Sequence, residues 1–130
     1  MRILQPAGWK KPKGYANGIV AKGRTVFVAG QVGWNAEETF ETSDFTGQAR
    51  QALKNIVAIL AQAGAGPEHI CRMTWYVGDR HEYNASLKEL GATYRDVMGR
   101  NFPAMTAVQV AGFVEEGAKL EIEVTAVIPE

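Results

Sequence analysis

The chain has 130 residues, 46% of them hydrophobic and 22% charged, which argues against a disordered or fibrous segment and suits one globular domain over residues 1–130. Lys+Arg and Asp+Glu are both 14, for a formal net charge of +0, so the basic excess of a protein built to grip nucleic acid is missing. Cys71 is the single cysteine, which excludes an internal disulfide, and no apolar run approaches the ~20 residues of a membrane span.

The N-terminal stretch carries one small basic cluster, Lys10, Lys11 and Lys13, read as solvated. It shows neither the apolar region nor the small-residue cleavage site of a secretory signal, and the expected location is the cytoplasm. Residues 17–21 form a short extended run. Lys22-Gly23 then turns the chain into residues 25–29, rich in β-formers, which predicts a β-hairpin. Gly30 and Gly33 interrupt the second strand, where a backbone bulges or lets a ligand approach.

Asp44 is placed to cap a helix in which Phe45, Ala49, Leu53, Ile56 and Leu60 recur with the helical period. On that wheel Gln48, Gln51 and Lys54 fall on the solvent side, and Gly64 stops the helix. Residues 70–77 read as a strand. A second helix follows, with Tyr83, Leu87, Leu90, Tyr94 and Val97 on one stripe and Gly99 at its end. A strand over 105–111 comes next. The last strand, 119–128, alternates: Leu120, Ile122, Val124, Ala126 and Ile128 on one face, Glu121, Glu123, Thr125 and Val127 on the other.

The order β-β-α-β-α-β-β predicts an α+β fold with a mixed sheet, its right-handed crossovers placing two helices on one face. In the strand over 70–77, Ile70, Thr74 and Tyr76 fall on one side and Met73, Trp75 and Val77 on the other. Neither set is clearly polar, so the uncovered face is expected to pack on other copies of the chain.

Few residues offer chemistry. His69 and His81 are the only histidines and stand apart from any Cys/His cluster, so no metal and no cofactor are expected. Cys71 lies in a strand without a paired histidine and reads as a small hydrophobe. Three features remain. Gly30, Gln31, Gly33 and Trp34 mark a strand end that is either a bulge beside a half-buried indole or a pocket wall. Glu121 and Glu123 are either an exposed polar face or a source of a water-orienting carboxylate. Phe102-Pro103-Ala104-Met105-Thr106 enters a strand as a rigid turn.

Together these segments resemble the Rid/YjgF family, also called the L-PSP endoribonuclease family. The landmarks are Gly14-Tyr15, Gly30-Gln31, the helix sequence from Gln48 to Asn55, Thr74 to Asp79, Phe102-Pro103-Ala104 and Glu121-Ile122-Glu123, over residues 14–128. The resemblance implies a chorismate-mutase-like fold and a homotrimer whose sheets form a central barrel, with a small-molecule site in each cleft between subunits. It implies hydrolysis of enamines and imines to a carbonyl compound and ammonia. It places the water-holding carboxylate on Glu121, a lining tyrosine on Tyr15 and backbone contacts at Gly30, Gln31 and Thr106, with Trp34 beside them. A cysteine that many members carry falls on Ala107.

The family's carboxylate-gripping arginine falls on Met105. Methionine offers neither charge nor a donor, so an atypical substrate range is expected, and the nearest cation along the chain is Arg100. The alternative is a non-catalytic small-molecule-binding or stress-related trimer. RNA cleavage, the reading in the family's older name, is disfavoured by the zero net charge and the lack of a histidine pair.

Overall fold

The computed structural model describes residues Met1–Glu130. In chain order the elements are β1 (Arg2–Leu4), β2 (Gly18–Val20), β3 (Arg24–Val32), α1 (Phe45–Gln62), a 3-10 turn (Pro67–His69), β4 (Ile70–Val77), α2 (Arg80–Ala85), α3 (Leu87–Met98), β5 (Ala104–Gln109) and β6 (Leu120–Ile128). The α+β class and the mixed sheet are as expected. The four-stranded sheet has the order β3-β6-β4-β5. β6 runs antiparallel to both neighbours, and β4 and β5 are parallel, joined by the α2–α3 crossover.

The first helix forms for the reasons its sequence supplies. Asp44 Oδ2 accepts from the Gly47 amide at 2.8 Å, satisfying one of the free donors of the first turn. Ala49, Ala52, Leu53, Ile56 and Leu60 are completely buried, and Gly64, at φ 72°, ends the helix. This stripe packs on Met73, Trp75 and Val77 of β4 and on Leu120, Ile122, Val124 and Ala126 of β6, within one apolar core. Each large aliphatic side chain sealed there contributes about 1.5–3 kcal/mol. No helix is long and apolar enough to cross a membrane.

Four expectations are corrected. The hairpin between residues 17–21 and 25–29 does not form: β2 pairs with the unforeseen β1, and β3 pairs with β6. β6 offers β3 a partner strand nine residues long, where β2 has only three. The second helix is broken at Ser86, whose backbone departs from helical geometry and whose hydroxyl donates to the Glu82 carbonyl at 2.7 Å, a back-bond that bends helices. The break turns Leu87 out of the expected buried stripe, leaving it 52% exposed. The order is therefore β-β-β-α-β-α-α-β-β, with three α-helices.

The uncovered sheet face is not apolar. The β4–β6 register shifts between Ile70 and Arg72, which moves Ile70 into the core and puts Arg72, the buried Thr74 and Tyr76 on the other face, beside Glu121, Glu123 and Thr125. Phe27, 80% exposed, is the main apolar group there. Lastly, Gln48 is not on the solvent side; it is completely buried. Its amide nitrogen donates to Thr42 O at 3.1 Å and Gly117 O at 2.9 Å, and its Oε1 accepts from Lys119 N at 2.9 Å. It ties the loop before α1 to the start of β6, using nearly all of its bonding capacity. Periodicity cannot foresee this.

Candidate functional site

The site residues begin at a bulge. Val28 pairs with Val124 and Gln31 with Ile122, so Ala29 and Gly30 both face Glu123. A bulge of this kind frees backbone groups from the ladder. The Gln31 side chain donates to Ala29 O at 3.1 Å, using one of the freed acceptors. Gly30 is needed for a second reason: a Cβ there would stand 2.4 Å from Glu121 Oε2. The Glu121 carboxylate lies across the bare backbone of Gly30.

The two glutamates of β6 differ in their partners. Tyr76 Oη donates to Glu123 Oε1 at 2.6 Å, and this bond holds the Tyr76 phenol above its ordinary pKa. Glu121 has neither a hydrogen bond nor a salt bridge within the chain. Both of its oxygens are open to water or a ligand.

Gly33 has a packing role. A Cβ there would meet Gln48 backbone and side-chain atoms at 2.5 Å, so this glycine brings the end of β3 against α1. Trp34 is half-buried, packs on Phe40 with ring centroids 5.7 Å apart, and accepts through its carbonyl from Asn55 Nδ2 at 2.8 Å. The indole lies on the helix side of the strand end, in a shallow depression shared with Gln31 and Asn55. Burial pushes the Cys71 thiol above its ordinary pKa, away from the nucleophilic thiolate. His69 Nδ1 accepts from the Gly66 amide at 3.0 Å.

The other site residues lie at the opposite edge of the sheet. Met105 pairs with Met73, Thr106 with Thr74 and Ala107 with Trp75. Met105 and Ala107 therefore alternate towards the helices, and Thr106 towards the open face. Tyr15 is 41% exposed, next to Ala16, whose amide donates to Pro103 O at 2.9 Å. β3, which carries Gly30, is three strand spacings from β5, about 14 Å, and β6, which carries Glu121, is two, about 10 Å. One chain thus brings Gly30 and Glu121 together on the open face, sets Gln31 and Trp34 on the helix side of the same strand end, and separately groups Tyr15, Met105, Thr106 and Ala107. It does not bring the two groups to one small ligand.

Met105 also lines a cavity of ≈ 390 Å³ under α2 and α3. Trp75, Tyr83, Tyr94 and Phe102 supply aromatic walls, and Lys13, Arg95 and Arg100 are the charged groups on its lining. Arg100 thus reaches the neighbourhood of Met105. Sequence reasoning missed Arg95 and Lys13: the helix break and the return of the N-terminal segment place them, and neither is local.

The profile of the family described as endoribonuclease L-PSP matches residues 9–128. The chain belongs to this family, the Rid/YjgF group that its sequence resembles. It is 30% identical over 105 residues to human 2-iminobutanoate/2-iminopropanoate deaminase, covering 80% of this chain and 73% of that protein. Among solved structures it is similar to YyfB of Yersinia pestis, a member of the conserved Rid family, with a TM-score of 0.83 at 29% identity and 98% of both chains covered. It is also similar to Escherichia coli TdcF solved with bound serine, with a TM-score of 0.71 at 30% identity, covering 98% of this chain and 99% of that one.

Proposed function

We propose that the protein hydrolyses an imine or enamine to a carbonyl compound and ammonia, in a cleft completed by a second copy of the chain, with Glu121 as the catalytic carboxylate. The observation that carries this reading is the unpartnered Glu121 carboxylate lying over Gly30. A carboxylate held by position rather than by a salt bridge can bind a water and take its proton as the oxygen adds to the C=N carbon. The protonated Glu121 returns that proton to nitrogen, giving the neutral carbinolamine; Glu121 then takes the hydroxyl proton and passes it to nitrogen as the C–N bond breaks, so ammonia leaves and the oxygen becomes the carbonyl. The sum is imine plus water giving carbonyl compound plus ammonia, with no cofactor. The family relationship and the human deaminase support the reaction class, and the serine bound to TdcF supports a ligand of amino-acid size.

The split of the site residues supports assembly between copies. The Gly30–Glu121 group lies at the β3 side of the sheet and the Tyr15–Met105 group at its β5 edge. One copy's β3 edge meeting the next copy's β5 edge is a heterologous contact, and such contacts form rings when the rotation between copies closes. The homotrimer implied by the family resemblance is one such ring. Met105 in place of arginine removes the bidentate grip on a substrate carboxylate at that position, so activity on small 2-imino acids is reduced and the substrate range is atypical.

The test generates imines in situ with an amino-acid oxidase and lets semicarbazide trapping compete with hydrolysis. Wild type should suppress trapping for at least one amino acid. Glu121→Gln should lose that activity by ~10²-fold or more, with its oligomeric state and thermal midpoint unchanged. Full activity in Glu121→Gln would refute its role. A monomer in light scattering would sink the shared cleft.

A further inference from the structure

The cavity under α2 and α3 has features that the proposed hydrolysis does not use. At ≈ 390 Å³ it lies within the ~300–1,000 Å³ range of small-molecule sites. Its walls are flat and rigid: Tyr94 stacks on Phe102 with an interplanar angle of 17°, and Trp75 meets Tyr83 edge-on with ring centroids 6.2 Å apart. The Tyr94 hydroxyl is already taken by the Asn101 carbonyl. Trp75 is 3% exposed, and its Nε1–H has no acceptor anywhere in the chain. Burying such a donor unpaired is costly, and few native groups are left so.

The charge on this cavity is one-sided. Lys13, Arg95 and Arg100 line it, and no carboxylate does. The chain's Lys and Arg ion pairs use Arg50 and Lys119 instead. Arg95 Nη1 lies near Gly91, where a Cβ would stand 3.3 Å from it, so the guanidinium lies over the bare helix turn beside the cavity. These are the parts of a site for an anion with an apolar body: guanidiniums at the mouth and aromatic rings below.

We propose that this cavity binds a small molecule with a flat aromatic body and a single carboxylate, the carboxylate held by Arg95 and Arg100 and the ring packed against Trp75 and Phe102. The cationic grip lost at Met105 is thereby moved to the end of α3 and the turn after it. Applied to catalysis, the substrate class becomes 2-imino acids with aromatic side chains; that extension rests on the deaminase reading, whereas the binding site does not.

The experiment is calorimetric titration of the intact protein with phenylpyruvate, the 2-oxo acid matching an aromatic imine. Pyruvate supplies the carboxylate without the ring, and phenylacetone the ring without the carboxylate. Phenylpyruvate should bind, and each partial ligand should bind about tenfold more weakly or worse. The double variant Arg95→Gln/Arg100→Gln, both exposed positions, should weaken phenylpyruvate by about tenfold or more and leave phenylacetone unchanged. No phenylpyruvate binding, or binding indifferent to the double variant, overturns the proposal. Binding without imine turnover keeps this site and removes the deaminase reading. Turnover whose KM for aromatic imines ignores the double variant does the reverse.

Discussion

The two faces of the four-stranded sheet are built from the same strands and do different work. On the covered face Met73, Leu120, Ile122 and Ala126 are completely buried against an α1 stripe that is itself sealed. On the open face the alternate residues are Arg72, Thr74, Tyr76, Glu121, Glu123 and Thr125; Tyr76 is partnered with Glu123, and Glu121 with nothing. One face supplies folding free energy, and the other presents groups without spending the core on them. The period of two along each strand separates the tasks residue by residue. Substitutions on the covered face should therefore cost stability, and those on the open face activity.

Leu53→Ala should give the largest loss of stability. It empties a fully buried site and should cost about 2–5 kcal/mol in urea unfolding, while catalysis per folded molecule is unchanged. Gln48→Leu should follow. It keeps the volume but strips three backbone groups, Thr42 O, Gly117 O and Lys119 N, of their partner, and should cost about 2–3 kcal/mol. A loss near zero would mean that the loop before α1 and the start of β6 do not depend on this tie.

On the open face, Gly30→Ala should show the opposite pattern. The added methyl must push the Glu121 carboxylate aside, a cheap movement of a flexible end, so the urea midpoint should move by under about 1 kcal/mol. Imine hydrolysis should fall by about tenfold or more if a misplaced carboxylate is what limits it. Unchanged turnover would detach Gly30 from the chemistry.

The smallest effect lies away from both faces. Arg50 beside Asp96 holds that carboxyl below its ordinary pKa, through a hydrogen bond and then charge attraction. A depressed carboxylate pKa stabilises the fold above the unfolded value and loses this contribution as pH falls through the folded one. Wild type should thus exceed Asp96→Asn slightly at neutral pH, and the gap should shrink as the pH drops below about 4. The pair is exposed, so salt should narrow the gap as well.

The covered face was legible in the sequence because its signals are local. The Asp44 cap, the α1 stripe, the Gly64 stop and the alternation of β6 each fit within one element. The open face was legible only in part. Alternation put Glu121 and Glu123 together, but nothing in the sequence says that Tyr76 occupies one and leaves the other free. The register shift beside Cys71 moved Ile70 across the sheet, a one-residue slip that residue patterns along β4 do not report. The buried Gln48, the β1–β2 pairing and the Ser86 break depend on partners many residues away or on a side chain competing with the helix backbone. The cavity was hidden for the same reason: Lys13, Arg95 and Arg100 meet only after the chain has closed.

The central claim, that Glu121 of one copy works with the β5 edge of another, is tested most directly by mixing two inactive variants. Glu121→Gln removes the carboxylate, and Met105→Glu places a repelling charge at the opposite edge. Each alone should be inactive. When the two are unfolded and refolded together, random assembly leaves about a quarter of the interfaces with both native residues, and imine hydrolysis should return to about that fraction of wild type. Mixed oligomers that form, as verified by mass spectrometry, and remain inactive would contradict the shared site.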